Sequence, residues 1–312
     1  MENSLDSLKS WIFNSAHAGK ISINQLGWPA RLKIVVYDYM VQVRVGDEDF
    51  IGHGSDAEPD LAIVKATAEA FERYCVTISK LTNSNGCAVH TDKKLADENA
   101  LLELVERDCF LVQFIGGQSF KEVQQSHYQA KLDERSKIIN YCLATGRQTI
   151  VLTRIIIDNT ANILGLGIGK NSQEALKKSE IEALRQWVYL SDKDYTLKSE
   201  YSEIDNFKKM SFEEHGDIAL TKKHFDQIDF IFKQIEINPN NVFDYFDQSL
   251  TTYQEYKIDL DLNNPFHGIP LHFVKASHPQ AQELFTGKTI ENINPLRIIN
   301  NGKLNLCLHP FR

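Results

Sequence analysis

Apolar residues between Asp60 and Leu81 recur at steps of three and four, at Leu61, Ile63, Val64, Ala68, Phe71, Tyr74 and Ile78, the spacing of a helix with one buried face. The same spacing runs from about Lys94 to Phe114 through Leu95, Leu101, Leu102, Val105 and Cys109, and a third helix is predicted from about Ser172 to Leu190. Strand patterns lie between them. Residues 33–45 mix β-branched and aromatic side chains with partial alternation and run into Gly46-Asp47, so they predict a strand entering a turn, with a short segment from Phe50 to the Gly52-His53-Gly54 stretch behind it. Residues 149–166 predict two strands around an Asp158-Asn159 turn. Residues 191–257 alternate polar, charged and aromatic side chains and predict surface helices and loops. The stretch 265–312 holds five of the eight prolines, which predicts an extended or loop-like course. No Gly/Ser-rich linker divides the chain, so a single α+β domain over residues 1–312 is expected.

The length of 312 residues suffices for a substantial core without crosslinks. With 42% hydrophobic, 10% aromatic and 24% charged residues, the composition is that of an ordinary globular protein, which excludes disordered and fibrous classes. The 34 Lys and Arg against 42 Asp and Glu leave a net charge of −8, opposite in sign to the basic face that nucleic-acid binding requires, so no nucleic-acid partner is expected. The five cysteines are widely spaced with no C-x-x-C pair, which predicts free buried thiols rather than a disulfide framework or a zinc site. The N-terminus is acidic where a secretory signal is basic, and no apolar run of about 18 residues occurs, so a cytoplasmic location and no membrane span are expected.

The first two predicted helices carry one motif twice. Glu69-x-x-Glu72-Arg73 returns as Glu103-x-x-Glu106-Arg107, at an offset of 103 − 69 = 34 residues. Such a period suggests tetratricopeptide repeats, but two copies do not make an array. Residues at i, i+3 and i+4 share a helix face, so each motif projects two carboxylates and one guanidinium to one side. Taken singly, each reads as an exposed helix with a local Glu–Arg pair worth a few tenths of a kcal/mol. If the two faces converge, four carboxylates in one place require proton uptake or a cation. Hard oxygen ligands suit Mg²⁺, which usually arrives with phosphates that arginines can clamp, so the pair predicts an Mg-ATP site. Upstream of the second motif, Ser84-Asn85-Gly86 is a turn tripeptide between helices whose hydroxyl and N–H groups suit a phosphate. The third helix adds Glu182, with Arg185 and Gln186 one turn on.

These residues resemble the YcaO family. Ser84-Asn85-Gly86 followed by Glu103-x-x-Glu106-Arg107 is similar to that family's second nucleotide-binding motif, and Ala68-Glu69-Ala70-Phe71-Glu72-Arg73 to the first. Gly167 and Gly169 leading into Ala175 and Glu182 resemble the third, and Leu308-His309-Pro310-Phe311 resembles the proline-containing C-terminus. The resemblance implies one YcaO-like domain with a motif region over residues 52–190 and a C-terminal region over 191–312, its sheets and three motif-bearing helices forming the Mg-ATP site. It implies an enzyme that uses ATP to phosphorylate a backbone amide oxygen of a ribosomally made precursor peptide. A neighbouring Cys, Ser or Thr then closes an azoline, the route to thiazoles and oxazoles in bacteriocins; a sulfide source gives a thioamide and an amine an amidine. A scaffold subunit that keeps only the ATP site is the reading from another class. Carried onto this chain, Glu69, Glu72, Glu103 and Glu106 would hold Mg²⁺. Ser84, Asn85, Glu72, Arg73, Glu106 and Arg107 would bind ATP, and Arg107, Glu182, Arg185 and Gln186 would serve catalysis.

The departures from the family bear on the product more than on the phosphate chemistry. Lys65 stands where a serine is common, Arg185 where a glutamine is expected with Gln186 one position on, and the chain ends in Arg312 rather than a proline-rich tail. The length leaves no room for the leader-binding domain of fused members, so a separate E1-like leader-binding partner is expected, with a homodimer as a further option.

Other candidates fall away. Gly165-Leu166-Gly167-Ile168-Gly169-Lys170 fails the P-loop pattern at Leu164 and Asn171 and the dinucleotide fingerprint at Lys170, and reads as a hairpin-to-helix turn. His267, His272 and His278 stand five and six residues apart among prolines and read as loop residues, not helix-borne metal ligands. His53, flanked by glycines, is a candidate neighbour of the site. Cys87 reads as a packed thiol rather than a nucleophile.

Overall fold

The computed structural model describes residues 4–192 apart from 118, 119, 124, 125, 127 and 146, then 220–233, 246–285, 292–295 and 304. The elements in chain order are α1 (Ser4–His17), β1 (Ile21–Gln25), α2 (Trp28–Arg31), β2 (Tyr37–Val45), β3 (Glu48–Asp56), α3 (Pro59–Ile78), β4 (Cys87–His90), α4 (Lys93–Ile115), β5 (Lys121–Glu122), β6 (Ser136–Ala144), β7 (Thr149–Ile157), β8 (Ala161–Gly169), α5 (Ser172–Asp192), α6 (Lys222–Lys233), β9 (Thr252–Tyr256) and β10 (His272–Ser277). The architecture is α+β. It falls into two compact units, residues 1–104 with 249–278 and residues 105–248 with 279–312. No linker marks the first changeover, which falls inside α4.

The first unit holds two three-stranded antiparallel sheets, β1-β2-β3 and β4-β10-β9. The β2–β3 hairpin turns at Gly46 and Asp47, where Gly46 has φ +62° in the first central position of a two-residue loop, the place that suits a residue without a Cβ. Leu8 and Ile12 of α1, Val41 and Val43 of β2, Phe50 of β3, Ile63, Phe71 and Tyr74 of α3 and Phe266 and Phe273 near and on β10 form one core. Tyr74 and Phe266 meet at 5.1 Å between ring centroids, and Tyr74 meets Phe50 edge-on at 5.2 Å.

The second unit is built on a four-stranded antiparallel sheet, β5-β6-β7-β8, with α5 packed on β7 and β8. β7 is buried except at its final residue and β8 is buried throughout, which explains why both read as near-continuous apolar runs. A polar chain crosses beneath α5: Asn140 Nδ2 donates to Glu180 Oε1 at 3.0 Å, Thr153 Oγ1 donates to Asn140 Oδ1 at 2.8 Å, and Thr153 and Ser179 share a bond of 2.8 Å. The α6 helix, in the stretch expected to be surface, presents Phe225, Ile228, Asp229 and Phe232 as a buried face, because these positions follow helical spacing.

The two units repeat one construction. In each, a hairpin (β2–β3 or β7–β8) leads into a helix laid against its second strand, and β3 and β8 are both edge strands of their sheets. From Gly52 and Gly165 onward the correspondence holds at one offset, 165 − 52 = 113, and six residues are identical across it: Gly52/Gly165, Gly54/Gly167, Ala62/Ala175, Lys65/Lys178, Glu69/Glu182 and Ala70/Ala183. The glycines sit where the helix backbone comes closest. A Cβ on Gly54 would fall onto the Ala62 carbonyl oxygen, and one on Gly167 onto that of Ala175. Gly165 and Gly167 are therefore strand residues that admit a helix, not the hairpin-to-helix turn expected from sequence.

Among the described residues, Cys75, Cys87 and Cys109 are buried free thiols and Cys142 is a half-buried one, as the spacing predicts; Cys307 lies outside the described residues. No helix in the described residues is long and apolar enough to cross a membrane.

Candidate functional site

The first of the three motif helices is tied to the edge of its sheet. The His53 backbone N–H points away from β2 and donates to Glu69 Oε2 at 2.8 Å, while Lys65 Nζ donates to the Ser55 carbonyl at 3.3 Å and to Asp56 Oδ2 at 2.6 Å. One helix face thus satisfies edge groups that no neighbouring strand among the described residues meets. Burial alone would raise the Asp56 carboxyl; the Lys65 ammonium and the N–H groups of Glu58 and Ala57 outweigh it and hold the group below its usual value. Arg73 Nη2 donates to Glu69 Oε1 at 2.7 Å, the local pair that the i, i+4 spacing predicts. Glu72 is half-buried; burial first, and then its charge, push the Cys75 thiol up, so Cys75 stays protonated and packs as an apolar group.

The Ser84-Asn85-Gly86 tripeptide is followed by the short strand β4 before α4 begins, where sequence suggested a simple helix-to-helix turn. Cys87 N–H donates to the Ser84 carbonyl at 2.9 Å, closing a β-turn, and Gly86 at its third position has φ +69°. Gly86 is pressed on β10: its carbonyl accepts from Ala276 N–H at 2.7 Å, and a Cβ on it would stand 2.5 Å from the Ala276 oxygen and 3.5 Å from Leu104 Cβ. The turn therefore lies beside Leu104, the residue after Glu103 on α4. Lys275 of β10 fastens it further, donating to the Asn85 carbonyl at 2.8 Å and to Asn83 Oδ1 at 3.3 Å. Asn85 is fully buried, and neither its Oδ1 nor its Nδ2 has a hydrogen-bond partner among the described residues. Along α4, Glu103, Glu106 and Arg107 are half-buried and share one helix face.

In the second unit α5 treats the edge of β8 as α3 treats that of β3. Leu166 N–H donates to Glu182 Oε2 at 2.9 Å, Lys178 Nζ donates to the Ile168 carbonyl at 2.9 Å, and Gln186 Nε2 donates to the Leu164 carbonyl at 3.3 Å. Lys178, Glu182 and Gln186 stand one turn apart each, and Arg185 is half-buried beside them.

No protein-family model matches the sequence, and no curated protein matches it. Solved structures do. The YcaO protein from Methanopyrus kandleri, solved with AMPPCP and Mg²⁺, superposes with a TM-score of 0.60 at 10% identity over 89% of this chain and 91% of its own. A heterocyclase in complex with substrate and cofactor gives 0.60 at 11% identity, over 92% of this chain and 53% of its own. A chain of the E. coli microcin synthetase McbBCD complex gives 0.53 at 13% identity, over 87% and 89%. The fold is that of the YcaO proteins.

On this YcaO fold the residues singled out from sequence are distributed over four elements: Glu69, Glu72 and Arg73 on α3, Ser84 and Asn85 on the turn before β4, Glu103, Glu106 and Arg107 on α4, and Glu182, Arg185 and Gln186 on α5. Glu69 and Arg73 touch, and Glu69 and Glu182 each hold a strand N–H. Among the described residues no three His, Cys, Asp or Glu side chains stand at the spacing of a bound metal. His53 adjoins Glu69 through its backbone. His272, expected in a loop, is a β10 residue whose Nδ1 lies 2.8 Å from Glu255 Oε1, and Cys87 is packed in the core. Leu308-His309-Pro310-Phe311 and Arg312 lie outside the described residues. Sequence reading missed Lys275, whose partners Asn83 and Asn85 are 192 and 190 residues away. It also missed that Lys65, which departs from the family, repeats the clamp made by Lys178; their common offset was the available signal.

The bonds at Glu182 separate shape from charge. Glu182→Gln keeps an oxygen acceptor for Leu166 N–H, and its urea midpoint is expected to stay near wild type. Glu182→Leu removes the acceptor and is expected to lower stability by about 1–2 kcal/mol in the same measurement.

Proposed function

We propose that this protein is an ATP-dependent enzyme that activates a backbone amide of a precursor peptide, acting as the cyclodehydratase subunit that forms azolines. The observation that carries the reading is the Ser84–Cys87 turn, held by Gly86 and Lys275 on β10 beside the α4 segment that bears Glu103, Glu106 and Arg107. The buried Asn85 carboxamide, without partners among the described residues, is the kind of group that a bound polar ligand completes. Further support is the fold, shared with a YcaO protein solved with AMPPCP and Mg²⁺ and with a heterocyclase solved with substrate and cofactor.

The donor set suits the ligands. Mg²⁺ takes one or two carboxylates together with phosphate oxygens rather than a closed protein cage. Glu69, Glu72, Glu103 and Glu106 offer such carboxylates, and Arg73 and Arg107 offer forked donors for phosphate. Bound ATP with Mg²⁺ supplies a phosphoryl group that turns the amide oxygen of the peptide into a leaving group. The thiol or hydroxyl of the following Cys, Ser or Thr adds to the amide carbon, the nucleophile and the amide nitrogen each lose a proton, and the oxygen leaves as phosphate. The peptide loses one water. In this reading Arg107 steadies charge on the transferring group, and Glu182, Arg185 and Gln186 are the further residues assigned to catalysis. A separate leader-binding protein would deliver the peptide; McbBCD, one of the structures with this fold, is itself a complex.

The test uses the full chain with a candidate precursor and its partner. Wild type is expected to hydrolyse ATP in a peptide-dependent way and to yield a product lighter by one water per modified residue. Glu103→Gln is expected to lower turnover about 100-fold. Exchange of oxygen for sulfur would place the enzyme among thioamide formers. An unmodified peptide, with ATP turnover equal in wild type and Glu103→Gln, would overturn the reading.

A further inference from the structure

Lys275 is half-buried and lies 190 residues along the chain from Asn85. Its two acceptors, the Asn85 carbonyl and Asn83 Oδ1, are both neutral. Among the described residues no carboxylate comes within ion-pair distance of its Nζ. An ammonium has three donors, and here two are taken by the turn. A partly desolvated cation in this state attracts an anion more strongly than a lysine in open water.

The residue whose carbonyl it binds, Asn85, is fully buried, with the donor and acceptor of its side chain both unmatched among the described residues. Leaving both ends of a carboxamide unmatched is costly, and such groups in native proteins mark the place of a partner. The turn also cannot drift away from the lysine. Gly86 has φ +69°, and its backbone is bonded to Ala276, the residue after Lys275. One fixed turn thus holds, among the described residues, a cation with no counter-ion and a carboxamide with both ends unmatched.

We propose that Lys275 is a phosphate-binding residue of the nucleotide site, supplying the cation that the Ser84-Asn85-Gly86 turn lacks, with the Asn85 carboxamide matched by a polar group of the same ligand. The ligand is a nucleoside triphosphate, and the inference rests on the ATP reading above. Lysine acts here as a point charge on phosphate oxygens, so arginine substitutes in part and a neutral side chain of similar length does not.

The test is isothermal titration of the full chain with ATP and Mg²⁺, with AMP, and with inorganic triphosphate, for wild type, Lys275→Met, Lys275→Arg and Glu103→Gln. Lys275→Met is expected to weaken ATP and triphosphate about tenfold or more while AMP changes less than about threefold, and Lys275→Arg to recover most of the loss. Equal weakening of ATP and AMP together with a lowered melting temperature would make Lys275 a fastener of the turn and overturn the proposal. ATP binding unchanged in Lys275→Met but lost in Glu103→Gln would remove Lys275 while leaving the ATP reading in place. A wild type that binds none of the three probes would remove both.

Discussion

Gly167→Val is expected to unfold the second unit. A side chain at this position has nowhere to go: its Cβ would meet the carbonyl oxygen of Ala175 and stand 2.6 Å from the backbone nitrogen of Ser179. These are atoms of a helix backbone, which cannot swing aside as the end of a flexible side chain could. Relief would require α5 to lift off β8, which would break the bonds from Leu166 N–H to Glu182 and from Lys178 to the Ile168 carbonyl. Core overpacking ordinarily costs about 1–3 kcal/mol, and a rigid backbone neighbour places this case beyond that, at about 4 kcal/mol or more. Urea unfolding followed by far-UV circular dichroism measures it, with Gly54→Val as the counterpart on β3 and α3. Gly27→Ala, at a glycine with nothing within 4 Å of the added atom and φ −81°, serves as the control and is expected to change stability by less than about 0.5 kcal/mol. Wild-type stability in Gly167→Val would show that α5 does not approach β8 this closely.

Arg154→Met is expected to be nearly as damaging, through charge rather than volume. Arg154 on β7 is 1% exposed, with Nε donating to Asn162 Oδ1 at 2.6 Å and Nη2 to Asp229 Oδ1 at 2.8 Å. Its guanidinium also lies 4.0 Å from the Phe232 ring centroid and 5.4 Å from that of Phe225. Asp229, Phe225 and Phe232 all belong to α6, so this one arginine joins the helix to the sheet. Removing it leaves the Asp229 carboxylate buried without its cation, a loss of about 3–5 kcal/mol. The double variant Arg154→Met with Asp229→Leu takes away both charges and is expected to recover most of that loss, because a buried ion pair offers little over an apolar pair of similar volume. Equal stability of the single and double variants in denaturant titration would show that the charge left behind is not what costs.

Residues 59–78 and 93–115 show how far pattern alone reaches. Their apolar spacing places α3 and α4 to within a few residues, because one buried helix face imposes a 3.6-residue period whatever it packs against. The same holds for β7 and β8, buried on nearly every residue and divided at Asp158 and Asn159, both with positive φ. β3 is a different matter. Read as a short segment from Phe50, it runs from Glu48 to Asp56, because Gly52, His53 and Gly54 lack the usual marks of a strand. They are there for the helix that crosses them, and a close approach leaves no periodicity.

The repeats teach the same lesson from two sides. Glu69-x-x-Glu72-Arg73 and Glu103-x-x-Glu106-Arg107 are conspicuous at an offset of 34 residues, yet α3 follows a hairpin and α4 follows a single short strand, so no structural unit repeats at that interval. The unit that does repeat, hairpin, glycine-bearing edge strand and helix, recurs at 113 residues with only scattered identities. Glycine and alanine where the backbones touch, lysine and glutamate where side chains reach the strand edge, are too common to draw notice one by one.

By itself the sequence determined the helices, the long hairpins, the free thiols and the residues whose chemistry resembles an ATP site, since each is set by local spacing or by the nature of single side chains. Only the tertiary structure decided that Glu69 and Glu182 hold strand edges, that Lys65 repeats the clamp of Lys178, and that Lys275 stands against a turn 190 residues away. The reason is physical: hydrogen bonds and charge act over a few ångströms of space, and which residues come within that distance is decided by how the helices and strands pack, not by their separation along the chain.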